Sequence, residues 1–205
     1  MNQAERTRRS RARILEAALE LFSQHGFRGT SVRDIADAAG LSTGSVYHQF
    51  SDKESIFHAL LDQYWQLAKQ ADYPLNKALL SARFPDDLDA ICDSARESIE
   101  QHRHYIKLIY VDVVEFEGRH VRHFYAGMAQ RFERFIEQHP KLLDGRDRLR
   151  EDLDPGLALM LVSRVFLQYF AVELLFGVDD HFGRPGPDAL REIADILRRG
   201  MVEPG

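Results

Sequence analysis

Hydrophobic positions recur at helical spacing along almost the whole chain. Ile14, Ala18 and Phe22 share one face of a first segment, and apolar residues return every three to four positions in most later segments. We find no repeat, no low-complexity tract and no convincing pair of strands. The pattern therefore predicts an all-α protein.

The pattern also places most of the helices. Ser31 and Ser42 stand where N-caps of a second and a third helix are expected, and Ser51 with Glu54 predicts a capping box for a fourth. A strand is the competing interpretation of residues 105–118, which are rich in β-branched side chains, and residues 74–85 are left unassigned. The first predicted helix ends near residues 25–26, and the fourth runs over residues 52–71. Later helices are predicted at about 87–101, 105–118, 120–138, 155–177 and 188–201.

The helix predicted at residues 155–177 is apolar on nearly every side. Its length raises the possibility of a membrane span, but Arg164, Gln168 and Glu173 interrupt the run and no basic residues flank it. This favours a helix buried on both sides, with one face against its own domain and the other against a second subunit.

Residues 31–50 predict a helix-turn-helix. Ala36 is small enough for two helices to cross closely, Gly40 supplies the positive φ of the turn, and Val46 fills the angle between the helices beside Ile35 and Leu41. This arrangement turns residues 42–48 outward, where a helix can enter the DNA major groove. Sequence-specific DNA binding is the leading hypothesis.

Charge and cysteine content agree with this hypothesis. The 205 residues carry a net charge of −5, but residues 1–53 hold eight Lys/Arg against six Asp/Glu, a local charge of +2, and DNA binding requires only a local basic patch. Cys92 is the one cysteine, so no intrachain disulfide can form. We expect a cytoplasmic protein without a membrane association.

Residues 13–61 closely resemble the DNA-binding domain of the TetR family of bacterial transcriptional regulators. The resemblance rests on the segments GFRGTSVRDIA, AGLS and VYHQFSDK. It implies a DNA-binding domain at residues 1–53, an effector-binding and dimerisation domain at 54–205, and a homodimer formed by the last two helices. Two-fold symmetry then implies a palindromic operator. A regulator of this kind, most simply a repressor, needs no catalytic residue and no cofactor.

The candidate DNA contacts lie in and beside the third helix. Small residues there let the backbone approach base edges, and hydroxyl groups can bind bases or phosphates. In the family, a residue at the position of Tyr47 meets a phosphate and one at the position of Arg33 can reach a guanine edge, although a solvated arginine is an equal alternative. The candidates are Ser31, Arg33, Ser42, Thr43, Gly44, Ser45, Tyr47, His48 and Lys53.

Lys53 is expected to bind a phosphate, because a lysine in the first turn of a helix opposes the helix dipole and needs an external anion to compensate. The arginines at positions 6–13 are interpreted as a flexible arm on the DNA or as a solubilising tail.

The candidate effector residues lie on the middle helices. Their aromatic content suits a small apolar effector, for which we prefer a fatty-acid or acyl-type compound over an aromatic one. Most residues in such a set are ordinary core. Asp112 and Glu115 are read either as polar groups of the pocket or as solvent-exposed. The candidates are Trp65, Phe84, Tyr105, Ile109, Tyr110, Val113, Phe116, Tyr125 and Met128.

Two other classes of function are weighed against this one. Glu117 and His120 form a Glu-x-x-His motif, with His123, His102 and His104 nearby. A di-iron bundle needs two such motifs and two further glutamates, so we predict no metal site and keep a metal-binding or enzymatic helical bundle as the alternative. The second alternative is a helical scaffold that does not bind DNA and keeps the helix-turn-helix only for packing.

Overall fold

The computed structural model describes residues 2–143 and 149–202, and within them the chain is helical. An isolated antiparallel bridge between Leu149 and Val202 is the single β-type pairing there. The all-α prediction is confirmed. The helices are α1 (Gln3–His25), α2 (Val32–Ala39), α3 (Thr43–Gln49), α4 (Lys53–Leu67), α5 (Pro74–Ser81), α6 (Leu88–Gln101), α7 (Arg103–Phe116), α8 (Arg122–Ala126), α9 (Met128–Gln138), α10 (Pro155–Phe176) and α11 (Gly186–Met201), with a 3₁₀ turn at Pro140–Leu143.

Several helix boundaries differ from the predicted ones. The stretch for which a strand competed is the helix α7, and α5 occupies part of the unassigned region. The fourth helix ends at Leu67 and not near residue 71, because the Asn76 side chain donates to the carbonyls of Ala68 and Gln70 at 3.1 and 2.8 Å and so replaces helical partners. The single helix predicted at 120–138 is two helices, and Gly127 is the N-cap of the second.

The N-terminal arginines belong to α1. Asn2 and Glu5 form a capping box that starts this helix at Gln3, so the interpretation of residues 6–13 as a flexible arm or tail is wrong. Arg11 donates to the carbonyl of Gln49 at 3.2 Å, and Arg13 donates to that of Gly40 at 3.3 Å. These side chains therefore tie α1 to the last residue of α3 and to the C-cap residue of α2.

The caps of the next helices follow the sequence closely. The Ser31 hydroxyl accepts from the Asp34 amide at 3.1 Å, and the Asp34 carboxylate accepts from the Ser31 amide at 2.8 Å. Hydrogen bonds from Ser31 lower the pKa of Asp34. For α4 the predicted box is wrong by one residue: Asp52 accepts from the Ser55 amide at 2.7 Å, and the Ser55 hydroxyl accepts from the Asp52 amide at 3.3 Å.

The chain divides into two compact units. The first comprises the described residues up to Leu67 together with Arg103–Phe124, and the second comprises Ala68–His102 with the described residues from Tyr125 onward. Both α4 and α7 thus belong to the unit that contains the helix-turn-helix. This structural division differs from the functional boundary expected at 53/54, which stays a prediction.

Four phenylalanines form the centre of the first unit. Phe22 of α1 and Phe57 of α4 are fully buried, with ring centroids 5.6 Å apart. Phe116 of α7 lies 5.1 Å from Phe57 and 4.6 Å from Phe27. Edge-to-face and offset contacts at these distances are favourable beyond the burial of area. This phenylalanine cluster holds α1, α4, α7 and the loop after α1 together.

The second unit is built around α6 and α10. Val162, Phe166 and Phe170 of α10 are buried there, whereas Leu157 and Leu161 on the same helix are exposed. By length and composition α10 is the one helix of the described chain that could cross a membrane. Its buried face nevertheless packs against α6 and α9, as in the core helix of a folded domain.

Cys92 lies buried on α6 with a free thiol. Burial, assisted by the neighbouring Asp93 and Asp89 carboxylates, raises the pKa of this thiol to about 12. The group therefore stays protonated at neutral pH and is a poor nucleophile.

Candidate nucleic-acid interface

The helix-turn-helix has the geometry that its small residues allow. Gly40 adopts φ 62° and ψ 42° at the end of α2, and the Leu41 amide donates to the carbonyl of Ala36 at 2.9 Å to close the turn. Ile35, Ala36 and Val46 are buried. A side chain at position 40 would be strained by the positive φ, and its Cβ would lie 2.6 Å from the guanidinium of Arg13.

The opposite face of α3 is open to solvent. Thr43, Gly44 and His48 are exposed, and Tyr47 exposes 58% of its surface. Tyr47 therefore presents its ring and hydroxyl group to solvent on the outer face of α3. These four residues present one continuous exposed surface of α3.

The serines of this region are partly engaged in capping. The Ser42 hydroxyl accepts from the Ser45 amide at 3.1 Å and lies 2.9 Å from the Ser45 hydroxyl. Ser31 is occupied by its reciprocal bonds with Asp34. Arg33 is freer, since its side chain is 83% exposed and lies 3.8 Å from Asp37 in a weak i,i+4 pair.

Comparisons with known proteins agree with this geometry. Residues 14–60 match the family model of the bacterial regulatory proteins of the tetR family. The transcriptional repressor KstR2 of Mycobacterium tuberculosis is 38% identical over 104 residues, which are half of this chain and half of that protein. Residues 14–60 therefore form a domain that matches the TetR family, whose model describes bacterial regulatory proteins.

Two solved structures show the same fold. A TetR-family transcriptional regulator from Mesorhizobium loti is 24% identical with a TM-score of 0.63, and covers 95% of this chain and 96% of its own. NalD, the secondary repressor of the MexAB-OprM multidrug efflux pump in Pseudomonas aeruginosa, is 24% identical with a TM-score of 0.60. The match covers 98% of this chain and 100% of NalD. The chain spans about half the length of the curated relatives that it matches first.

Lys53 has a structural task within the TetR-family domain. Its ammonium donates to the carbonyls of Phe27 and Thr30, each at 2.7 Å, and lies 4.1 Å from the centre of the Phe27 ring. Burial lowers the pKa of Lys53, and the carboxylates of Glu115 and Asp34 oppose the shift. Its expected phosphate contact stays a prediction, but the ammonium already has two hydrogen-bond acceptors within the fold.

Two acidic residues of α7 have roles that sequence reasoning missed. Glu115 accepts from the amides of Phe27 and Arg28 at 2.9 and 2.7 Å. Asp112 is fully buried and accepts from the His120 ring at 2.5 Å and from the Val121 amide at 3.1 Å. The interpretation of these two carboxylates as solvent-exposed is therefore wrong. Interruption of an apolar helix by acids was the available signal, but it does not identify their partners.

The predicted effector residues fall into both units. In the first unit, Trp65 stacks on Phe124 with centroids 3.7 Å apart, and Tyr105 stacks on Tyr64 at 5.6 Å. Phe116 packs in the phenylalanine cluster and Val113 is exposed. The first unit thus contains the candidates Trp65, Tyr105, Ile109, Tyr110, Val113 and Phe116.

The other candidates belong to the second unit. Tyr125 is exposed, with the Arg164 guanidinium 5.9 Å from its ring, and Met128 is half-buried. Phe84 is fully buried and is explained by core packing alone. A ligand role for these and the preceding residues stays a prediction.

The Glu-x-x-His motif is used for packing. His120 lies between Asp112 and Glu54, with its Nε2 atom 3.3 Å from Glu54, and its ring contacts Phe57 and Phe116. Within residues 2–143 and 149–202, no group of three His, Cys, Asp or Glu side chains could hold a metal ion.

Replacement of Lys53 tests its structural task. We expect Lys53→Ala to lower the free energy of unfolding by about 1–3 kcal/mol, because two carbonyls lose a charged donor. Lys69→Ala is the control, since Lys69 is exposed on the turn after α4. Urea unfolding monitored by circular dichroism measures both. Equal stability of the two variants would contradict the structural assignment.

Proposed function

We propose that this protein is a transcriptional repressor that binds a palindromic operator as a homodimer and releases it when a small apolar effector binds. The observation that carries the proposal is the exposed surface of α3, with its small residues and the outward Tyr47, within a domain that matches the TetR family over residues 14–60. The relative KstR2 is a transcriptional repressor.

Electrostatics supports binding at this end of the chain. Arg6, Arg8 and Arg9 are exposed on the first turns of α1, and residues 1–53 carry a positive balance within an acidic protein. Arginine side chains on a rigid helix can bind phosphates without the entropy loss of ordering an arm. The acidic remainder discourages non-specific coating of DNA.

The roles of α3 residues are separable. DNA fragments selected by the purified protein would first define the operator, which we expect to be an inverted repeat with recognition helices ~34–36 Å apart. We then expect Tyr47→Phe to weaken binding to every sequence about threefold to tenfold, because one phosphate hydrogen bond is lost. Thr43→Ala should change the order of preferred bases.

Fluorescence anisotropy with the selected operator and single-base variants measures these effects, with Val114→Ala on the exposed part of α7 as the control. Failure of the selection to enrich any sequence would refute the proposed function. An unchanged base preference in Thr43→Ala would refute the assignment of specificity to that residue.

Two surface features support a homodimer. Leu157, Leu161 and Phe176 of α10 are each more than half exposed, and so is Ile196 of α11. Apolar residues repeated along two helices leave surface that association can bury, and a two-fold axis would bring the same helices of two copies together. The exposed face of α10 is the face for which the sequence pattern predicted contact with a second subunit.

Association can be tested without unfolding the chain, because Leu161 lies outside the core. We expect sedimentation of the wild type to show a dimer at micromolar concentration and Leu161→Glu to give a folded monomer with weakened operator binding. Val114→Glu places the same charge on an 80% exposed site of α7 and should stay dimeric. A monomeric wild type at this concentration would rule out the proposed dimer.

The aromatic side chains of the first unit support an apolar effector. Burial raises the pKa values of Tyr105 and Tyr110, as expected for phenols in weakly polar surroundings. A fatty-acid or acyl-type compound is our first choice and an aromatic compound our second. The effector must bind the DNA-free state more tightly, and a coupling of about 1–3 kcal/mol would change DNA affinity 5- to 150-fold.

The single tryptophan provides the measurement. Trp65 stacks on Phe124, so we expect a true effector to change its emission and, at the same concentration, to release operator DNA. The assay compares fatty acids, acyl thioesters and aromatic acids. If no compound of these classes alters either emission or DNA affinity, the proposed effector chemistry is wrong.

A further inference from the structure

The loop between α1 and α2, residues 26–30, is held by charged side chains from two other helices. On one side, the two carboxylate oxygens of Glu115 on α7 accept separately from the amides of Phe27 and Arg28, at 2.9 and 2.7 Å. Such charge-assisted bonds to backbone amides are stronger than neutral ones. Glu115 therefore fixes two successive peptide groups of the loop.

Lys53 holds the same loop through its carbonyls. The ammonium binds the carbonyls of Phe27 and Thr30, so the amide and the carbonyl of Phe27 are each bound to a charged side chain. The Phe27 ring meanwhile packs against Phe57 and Phe116. The loop is thus fixed in position by contacts with α4 and α7.

The close approach of Glu115 also constrains the first residue of the loop. Gly26 has φ 74°, and a Cβ atom there would lie 2.6 Å from the Glu115 carboxylate. At the other end, Thr30 directly precedes Ser31, the N-cap of α2. The loop therefore leads directly into the N-cap of α2.

From these contacts we infer that Glu115 is a positioning residue for DNA binding, although it lies outside the helix-turn-helix in sequence. Its carboxylate holds the loop so that α2, and α3 packed on it, keep one orientation relative to α1. The inference rests on the proposed function. It adds Glu115 of α7 to the residues that determine the orientation of α3.

The direction of the change in DNA affinity distinguishes a positioning role of Glu115 from a purely electrostatic effect. Removing a negative charge from a DNA-binding unit should strengthen its attraction to phosphates. Loss of positioning should instead weaken binding to the operator, while binding to unrelated DNA, which depends mainly on charge, stays the same or increases.

The experiment compares Glu115→Gln and Glu115→Asp with the wild type. The first variant removes the charge, and the second keeps it on a side chain one methylene shorter. We expect both to bind the selected operator about tenfold more weakly, with binding to unrelated DNA not reduced. Glu16→Gln is the control for charge, because Glu16 is exposed on α1 and has no hydrogen bond or ion pair within the described part of the chain. It should bind the operator at least as tightly as the wild type.

Hydrogen exchange of the Phe27 and Arg28 amides gives an independent signature, and both should exchange faster in the Glu115 variants. Unchanged operator affinity in both variants would overturn the inference. So would a parallel loss of operator binding, binding to unrelated DNA and thermal stability, since that indicates general unfolding. If the wild type itself selects no operator, the proposed function fails first and the inference with it.

Discussion

The packing of the half-buried Phe27 ring is the interaction on which the first unit depends. The ring completes the phenylalanine cluster with Phe22, Phe57 and Phe116, and this draws the backbone of the loop after α1 into the unit. Backbone amides and carbonyls that leave water must find partners. Glu115 supplies acceptors and Lys53 supplies donors, so the polar contacts of the loop accompany the packing of one ring.

This arrangement links the exposed surface of α3 to helices far away in sequence. The helix-turn-helix alone is short, and α2 and α3 have few apolar residues with which to fix their position. Arg11 and Arg13 of α1 bind carbonyls at the end of α3 and at the end of α2, while α4 and α7 hold the loop before α2. The orientation of a small recognition element is therefore set by contacts that surround it and not by its own stability.

The second unit shows how one helix can serve two environments. The inward face of α10 packs on α6 and α9, and its outward face keeps Leu157 and Leu161 exposed. A helix that is apolar all round is stable in water only when both faces are covered. The two interpretations of the sequence, a membrane span and a helix covered on both sides, therefore differ in what covers the outward face of α10.

The sequence by itself determined the elements whose signals are local. Apolar spacing predicted the helices, Ser31 and Ser42 marked two caps, and Gly40 marked the turn, because each of these depends on residues three or four positions apart. The exposed positions Thr43 and Tyr47 followed from the same local geometry. The motif within residues 13–61 was also enough to indicate the TetR family, whose model matches residues 14–60.

Tertiary structure decided the partners of the charged and polar side chains. Lys53 seemed to need an external phosphate, and Glu115 seemed to face solvent or a ligand, because their carbonyl and amide partners lie 23 to 88 residues away. The end of α4 likewise depends on Asn76 from the next helix. No spacing rule reports such pairs, since a buried backbone group accepts any side chain of the right polarity that the fold brings to it.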